Sequence, residues 1–255
     1  MTTTAAASCG IILGDNATPL WGMTASERLQ RCLPRVGVAE VRTLDALGDA
    51  GSCLLVSNHW VFDEALLRDL AQQANTLLVD SVSGVVVAAQ VPSTQAIQVA
   101  KLIDAGAVPG ALSESLRCVD AAGLSGAYNN VLRKREVPYL LRLTMETRAS
   151  VERRMFEGSY KGVTDFVTKF WWPRPAEVAT RWCAARGFSP NQVTFVGFLL
   201  VLLSFWAFWQ GHYLLGLTSG WLMPFLDTVD GKLARCTLTS SPIGGAFDHG
   251  SALIH

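Results

Sequence analysis

The sequence has 255 residues, 21 Lys+Arg against 21 Asp+Glu, and a formal net charge of +0. Half of it is apolar (50%) and only 16% is charged, which excludes an intrinsically disordered chain and argues against nucleic acid as a partner, since no basic excess is present. The length allows roughly one to two domains. A mean hydropathy of +0.28, with 8 Trp and 11 Phe, directs attention to membrane segments.

The zero charge is a cancellation between blocks. Residues 1–132 hold 7 Lys+Arg and 12 Asp+Glu, and residues 133–186 hold 12 and 6. The remainder holds Lys232 and Arg235 against Asp227, Asp230 and Asp248. The N-terminal stretch has no basic n-region and only a short apolar run, so no secretory signal peptide is read there. The six cysteines form no C-x-x-C pair and no zinc-site spacing with histidine, and are read as buried free thiols.

Residues 1–132 predict a soluble α/β domain. Strands are expected at Ser52–Val56, Asn75–Asp80 and Gly84–Val91, with amphipathic helices at Val61–Gln73 and Thr94–Gly106. Alternating strands and helices imply a mainly parallel sheet. The segment Cys9–Leu33 reads as strand, loop and helix without a Gly-rich phosphate cradle. Asp15, Asp63 and Asp80 read as loop and cap residues rather than metal ligands. This order of elements resembles the nucleotidyltransferase-like domain that precedes a membrane domain in some bifunctional inositol-phosphate enzymes. There the soluble half makes a CDP-alcohol and the membrane half uses it. The chain departs from that pattern at the Gly-rich loop, and it reads LLVSNHWVFD (Leu54–Asp63) where an acidic metal ligand belongs. The resemblance therefore implies a degenerate head with a structural or regulatory role. A head that still acts as a cytidylyltransferase is the competing reading.

Residues 133–187 predict a basic amphipathic linker and juxtamembrane helix. Within residues 136–158, Leu140, Leu141, Leu143, Met145, Val151, Met155 and Phe156 recur among arginines at rough helical spacing, and Gly158 and Gly162 break the pattern. Trp171, Trp172 and Trp182 among Lys169, Arg174, Arg181 and Arg186 suit a helix lying at the lipid headgroups, where anionic lipids attract the basic side chains.

From Arg186 to Asp227 no Asp, Glu, Lys or Arg intervenes. Val193–Trp209 is long enough to cross a bilayer core. Gln210-Gly211-His212 interrupts the run, and a second apolar stretch covers Tyr213–Leu226. The basic flank upstream places the loops before and after this hairpin on the cytoplasmic side. The expected localisation is therefore a multi-pass membrane protein with head and site cytoplasmic.

Asp227 and Asp230 are three apart on one helical face, and Asp248 begins another helix after the Ser241-Pro242 break. Such oxygen donors at a membrane edge are costly and functional by default, and they suit Mg²⁺ or Mn²⁺. Gly231 permits close approach, Ala234 leaves room, and Arg235 offers a positive fork for phosphate.

The run Asp227-x-x-Asp230-Gly231-x-x-Ala234-Arg235, followed by Gly244 and Asp248, resembles the signature of the CDP-alcohol phosphotransferase (CDP-alcohol phosphatidyltransferase) family. FSPNQVT (Phe188–Thr194) resembles the segment before that family's first spanning helix. The resemblance implies an integral-membrane bundle of six helices, often dimeric. It implies transfer of a substituted phosphoryl group from a CDP-linked lipid or CDP-alcohol to an acceptor alcohol, with release of CMP, in phospholipid or phospho-polyol synthesis. By position it makes Asp227, Asp230 and Asp248 metal ligands, and Gly231, Ala234, Arg235 and Gly244 the walls of the cytidine-diphosphate site.

Two departures stand out. The presumed general-base aspartate of the family falls at Ala252, which accepts no proton. His255, on a similar face, is a weak substitute, and His249 points about a quarter-turn away. The sequence also stops inside the third of the six expected helices, so a chain truncated after the signature is expected. The alternative to an active transferase is a membrane protein that binds metal and CDP-linked lipid without turnover.

Overall fold

The computed structural model describes residues 7–38, 40–47, 51–110, 115–125, 128–129, 134–135, 138–160 and 166–239. The chain divides into two compact units, Met1–Val151 and Glu152–His255.

In the first unit, β1 (Cys9–Leu13) leads to α1 (Ala25–Arg35), β2 (Glu40–Val41) and a 3₁₀ turn at Leu44–Ala46. Then come β3 (Ser52–Ser57), β4 (Trp60–Phe62), α2 (Glu64–Ala71), β5 (Thr76–Val79), β6 (Val86–Pro92) and α3 (Ser93–Asp104). The short elements β7 (Arg117–Val119), α4 (Ala121–Leu124), β8 (Tyr128–Asn129), β9 (Lys134–Arg135) and β10 (Leu140–Arg142) follow. Among the described residues the main sheet runs β2-β1-β3-β6-β5-β7.

The sheet is parallel, as the alternation of strands and helices implies, except at β6. That strand runs against both neighbours, β3 and β5. The cause is local. Only a tight turn joins β5 to β6, and a short turn can join only antiparallel strands. Asp80 builds it by accepting from the Ser83 backbone N–H at 2.8 Å, and Gly84 takes a φ of +70°.

Helices cover both faces of the sheet, which is why the strands are almost continuously apolar. On one face Ile11, Leu55 and Ala89 meet Ala96, Val99 and Ala100 of α3, all nearly inaccessible to solvent. On the other, α1 comes so close that a Cβ on Gly10 would stand 2.9 Å from Leu33 Cδ1.

Two segments differ from the sequence reading. Val61 and Phe62, expected to begin a helix, lie in β4, and α2 starts only at Glu64, behind its Asp63 cap. Leu140–Arg142, expected as helix, pairs antiparallel with β4 as a strand. The helix starts later, at α5 (Arg148–Gly158), where Thr144 Oγ1 accepts from the Thr147 backbone N–H at 3.2 Å. It ends at Gly158, as the glycine pattern predicts.

The second unit contains the rest of α5, then α6 (Phe166–Phe170), α7 (Pro173–Ala185), α8 (Pro190–Trp209) and α9 (Tyr213–Cys236). Ser189 and Gln192 form a reciprocal capping box at the start of α8, and Pro190 occupies the first helical turn. Among the described residues α8 is the helix long and apolar enough to cross a membrane; at 20 residues it spans about 30 Å. Phe195, Phe198, Leu202 and Phe205 along it face outward.

The α8–α9 hairpin packs through small residues. A Cβ on Gly216 would lie 2.9 Å from the Phe208 ring, and one on Gly220 3.2 Å from Ser204 Oγ. Ser204 donates to the Gly216 carbonyl at 2.8 Å. Small residues four apart let helix backbones approach where lipid supplies no hydrophobic drive.

Helix α7 exposes Val178 and Trp182 and buries Ala176, Thr180 and Cys183, the amphipathic division expected of it. It is fastened to α5 by Arg181, whose Nε lies 3.2 Å from Glu152 Oε2, while its Nη2 donates to Glu177 at 2.9 Å. The Glu152 side chain is 4% exposed and Arg181 41%. Glu152→Ala is expected to cost about 1–3 kcal/mol, because a charge-assisted bond is lost but the arginine still reaches water. A thermal midpoint of the detergent-solubilised chain that does not fall would show the pair to be idle.

All six cysteines are free, and all but Cys118 are buried. Burial pushes the Cys32 and Cys53 thiols up to about 12, so neither is a thiolate nucleophile at neutral pH.

Candidate active site

The returning helix α9 begins apolar and acquires its charges in the last turns. Asp227 is exposed and Asp230 is buried, both on the face the i,i+3 spacing predicts. The Asp230 carboxylate accepts a hydrogen bond at Oδ2 from the Thr194 hydroxyl, which is also within 3.1 Å of the Pro190 carbonyl. Thr194 closes the FSPNQVT segment, so the two sequence signals come together across the hairpin. A carboxylate oriented by a hydroxyl matches the way metal-ligating carboxylates are held by neighbours.

The donors suit a hard divalent cation in chemistry: two carboxylates one helical turn apart, one exposed and one oriented. Among the described residues no cluster of three His, Cys, Asp or Glu side chains stands ready for a metal. The expected third ligand, Asp248, lies outside the described residues, together with Gly244, His249, Ala252 and His255.

Gly231 and Ala234 are half-buried on the carboxylate side of α9. The glycine has a definite steric reason. The Arg235 side chain folds back along the helix, its Nε donating to the Gly231 carbonyl at 2.7 Å, and a Cβ on Gly231 would stand 2.8 Å from Arg235 Nη2. Arg235 Nη1 donates to the Ser159 carbonyl at 2.8 Å. Two of the five guanidinium donors are thus turned to backbone.

Lys232 went unremarked in the sequence pattern, although a lysine in the middle of a signature helix is itself a signal. It is 2% exposed. Its Nζ lies 2.8 Å from the centre of the Tyr160 ring and 5.3 Å from that of Phe156, a cation held against aromatic faces. Burial, reinforced by the Glu177 carboxylate and opposed by Arg235, pushes the Tyr160 hydroxyl up to about 12. Tyr160 is therefore neutral throughout the physiological range.

The head offers a different picture. Chain connections leave β1 and β3 in opposite directions, which puts the usual ligand crevice of such sheets at their C-terminal ends. Gly14 follows β1 with a φ of +79°, and a Cβ there would lie 2.9 Å from His59 Nε2 and 3.1 Å from Asn58 Oδ1. Asn58 donates to the Gly14 carbonyl at 2.9 Å and to Ser26 Oγ at 3.2 Å. Asn16 in turn donates to the Leu143 carbonyl at 3.1 Å. Asp63 caps α2 through the Ala65 N–H, and Asp80 holds its turn, so both do the work of caps and loops.

Residues 188–251 match the CDP-alcohol phosphatidyltransferase family. Archaetidylinositol phosphate synthase of Pyrococcus horikoshii is 40% identical over 76 residues, covering 29% of this chain and 40% of that protein. Cholinephosphotransferase 1 of Xenopus laevis is 30% identical over 124 residues, 42% of this chain and 28% of that protein. Cholinephosphotransferase 1 of Gallus gallus is 37% identical over 78 residues, 24% of this chain and 22% of that protein. The chain thus spans less than half the length of each of these relatives.

Proposed function

From the match of residues 188–251 to the CDP-alcohol phosphatidyltransferase family, we infer that this chain is a membrane transferase of phospholipid or phospho-polyol synthesis. It takes a substituted phosphoryl group from a CDP-linked lipid or CDP-alcohol and passes it to an alcohol. The observation that carries this reading is the Asp230–Thr194 hydrogen bond: it joins the carboxylate signature to the FSPNQVT segment, whose end forms the first turns of α8.

The acceptor oxygen attacks the phosphorus distal to cytidine. A P–O bond forms to the alcohol, the bond to the CMP oxygen breaks with its electron pair, and the alcohol proton passes to a base or to water. Asp227, Asp230 and Asp248 are the residues that would hold Mg²⁺ or Mn²⁺, whose charge offsets that of the diphosphate and the departing CMP. Gly231, Ala234, Arg235 and Gly244 shape the nucleotide side. The α8–α9 hairpin enters and leaves the bilayer with the carboxylates at the cytoplasmic face, beneath the basic α6–α7 segment. A homodimer through a complete membrane domain, and a head without nucleotide-binding activity, belong to the same reading; in the head, Asn58 and His59 crowd Gly14.

Ala252 favours a second reading, a protein that binds metal and CDP-linked lipid without turnover. One assay separates the two. The detergent-solubilised chain, given Mg²⁺, CDP-linked donors and a panel of alcohols, is expected to release CMP with at least one pair. Metal-dependent CDP binding without release supports the second reading, and neither binding nor release overturns both.

A further inference from the structure

We propose that Tyr160 is a positioning residue for the signature helix, acting through Lys232; this rests on the reading of α9 as a metal and cytidine-diphosphate site. At about 100° per residue, Asp227, Asp230, Gly231 and Ala234 share one face of α9, while Arg235 lies about a quarter-turn and Lys232 about two-fifths of a turn from its centre. That flank meets the C-terminal end of α5 at two points. Lys232 Nζ sits 2.8 Å from the Tyr160 ring centre and 5.3 Å from that of Phe156. Arg235 Nη1 donates to the Ser159 carbonyl at 2.8 Å. The Phe156 and Tyr160 rings brace each other edge to face at 5.6 Å.

Two contacts separated by nearly a helical turn fix the rotation of a helix about its own axis, which one contact does not. Rotation is the coordinate that matters here. A turn of about 20° moves a group on the helix surface, at about 5–6 Å from the axis, by about 2 Å. A shift of that size takes a carboxylate out of reach of an ion, since displacements of about 1 Å already cost on the order of a hundredfold at reacting centres. The apolar part of α9 is held to α8 by small-residue packing and by the Ser204 hydroxyl on the Gly216 carbonyl, about three turns away from Asp227. The seat sets the rotation with a cation that never touches substrate. It also gives Gly231 its purpose, since a side chain there pushes the Arg235 guanidinium off the second point of the clamp.

The test is CDP affinity in the presence of Mn²⁺, measured on the full chain in detergent well below each variant's thermal midpoint, so that lost stability alone does not register. Tyr160→Leu removes the aromatic face and is expected to weaken CDP binding by about tenfold or more. Tyr160→Phe keeps the face, loses only the hydroxyl, and is expected to bind like the wild type. Wild-type affinity in Tyr160→Leu, or a loss in Tyr160→Phe equal to that in Tyr160→Leu, overturns the proposal. Should Tyr160→Leu fail to fold, Lys232→Met removes the charge at similar length; the same loss supports the seat, and unchanged affinity overturns it. A wild-type chain that binds no CDP with Mn²⁺ overturns instead the reading of the site on which the seat depends.

Discussion

Asp230→Asn lowers CMP release by about 10³-fold or more and leaves the hairpin folded. The two effects separate because the substitution keeps shape and removes charge. The amide oxygen of Asn still accepts from the Thr194 hydroxyl, which now bonds the carboxylate. Exchanging a charged acceptor for a neutral one there costs about 1 kcal/mol of local stability. The loss in rate corresponds to about 4 kcal/mol, and it arises because a hard divalent ion loses a carboxylate donor. Thr194→Val tests the supporting role: it leaves the charge and removes the orienting hydroxyl, and a smaller loss of about 10–100-fold is expected. Both are read from CMP release at several Mg²⁺ concentrations. Activity of Asp230→Asn within a few-fold of the wild type would remove Asp230 from the metal site.

Part of this arrangement was legible in the sequence, because spacing alone decides which side chains share a helical face. Asp227 and Asp230 needed no tertiary information to be placed together. Their orientation did, since Thr194 reaches Asp230 from another helix. The same limit applies more strongly to Arg235 and Lys232. Composition and spacing offered Arg235 as a phosphate fork, but the Ser159 carbonyl that takes its Nη1 proton lies 76 positions earlier. Nothing local to residues 227–235 points to Ser159, Tyr160 or Phe156.

The fold shows the same division. The buried strands and their helices were legible from apolar runs and periodicity, and the uncharged hairpin from the bare absence of charge. Leu140–Arg142 was not, because Leu140, Leu141 and Leu143 fit a helical stripe as well as a short strand. What decides between them is β4, far away in sequence, whose edge accepts Leu140 and Leu141 as partners. The reversed β6 was legible in principle from the Asp80–Gly84 turn chemistry, which is too short to carry a parallel crossover. The Gly216 and Gly220 pair was equally open to reading as a close helix contact.

Ala252→Asp raises CMP release by about 10²–10⁴-fold, the usual contribution of a positioned general base. The position lies four residues after Asp248, a spacing that shares a face in any helix, and the family resemblance implies a carboxylate there. With alanine the alcohol proton has no side-chain acceptor at that point and passes to water, so the attacking oxygen is less nucleophilic. Ala252→Asn separates base from bulk, because an amide hydrogen-bonds to the alcohol without taking its proton. A gain with aspartate and none with asparagine identifies proton transfer. Equal gains with both identify positioning of the acceptor. His255→Ala completes the set: an unchanged rate in the otherwise wild-type chain removes the histidine as a substitute base, while a fall of tenfold or more assigns it that role. The pH dependence provides an independent check. If the aspartate is the base, the rate of Ala252→Asp rises as that carboxylate ionises and then levels, whereas a histidine base moves the rise toward neutral pH. Absence of any gain from Ala252→Asp, in a chain that binds CDP with metal, would place the limiting step elsewhere than in proton removal and leave the binding function as the chain's activity.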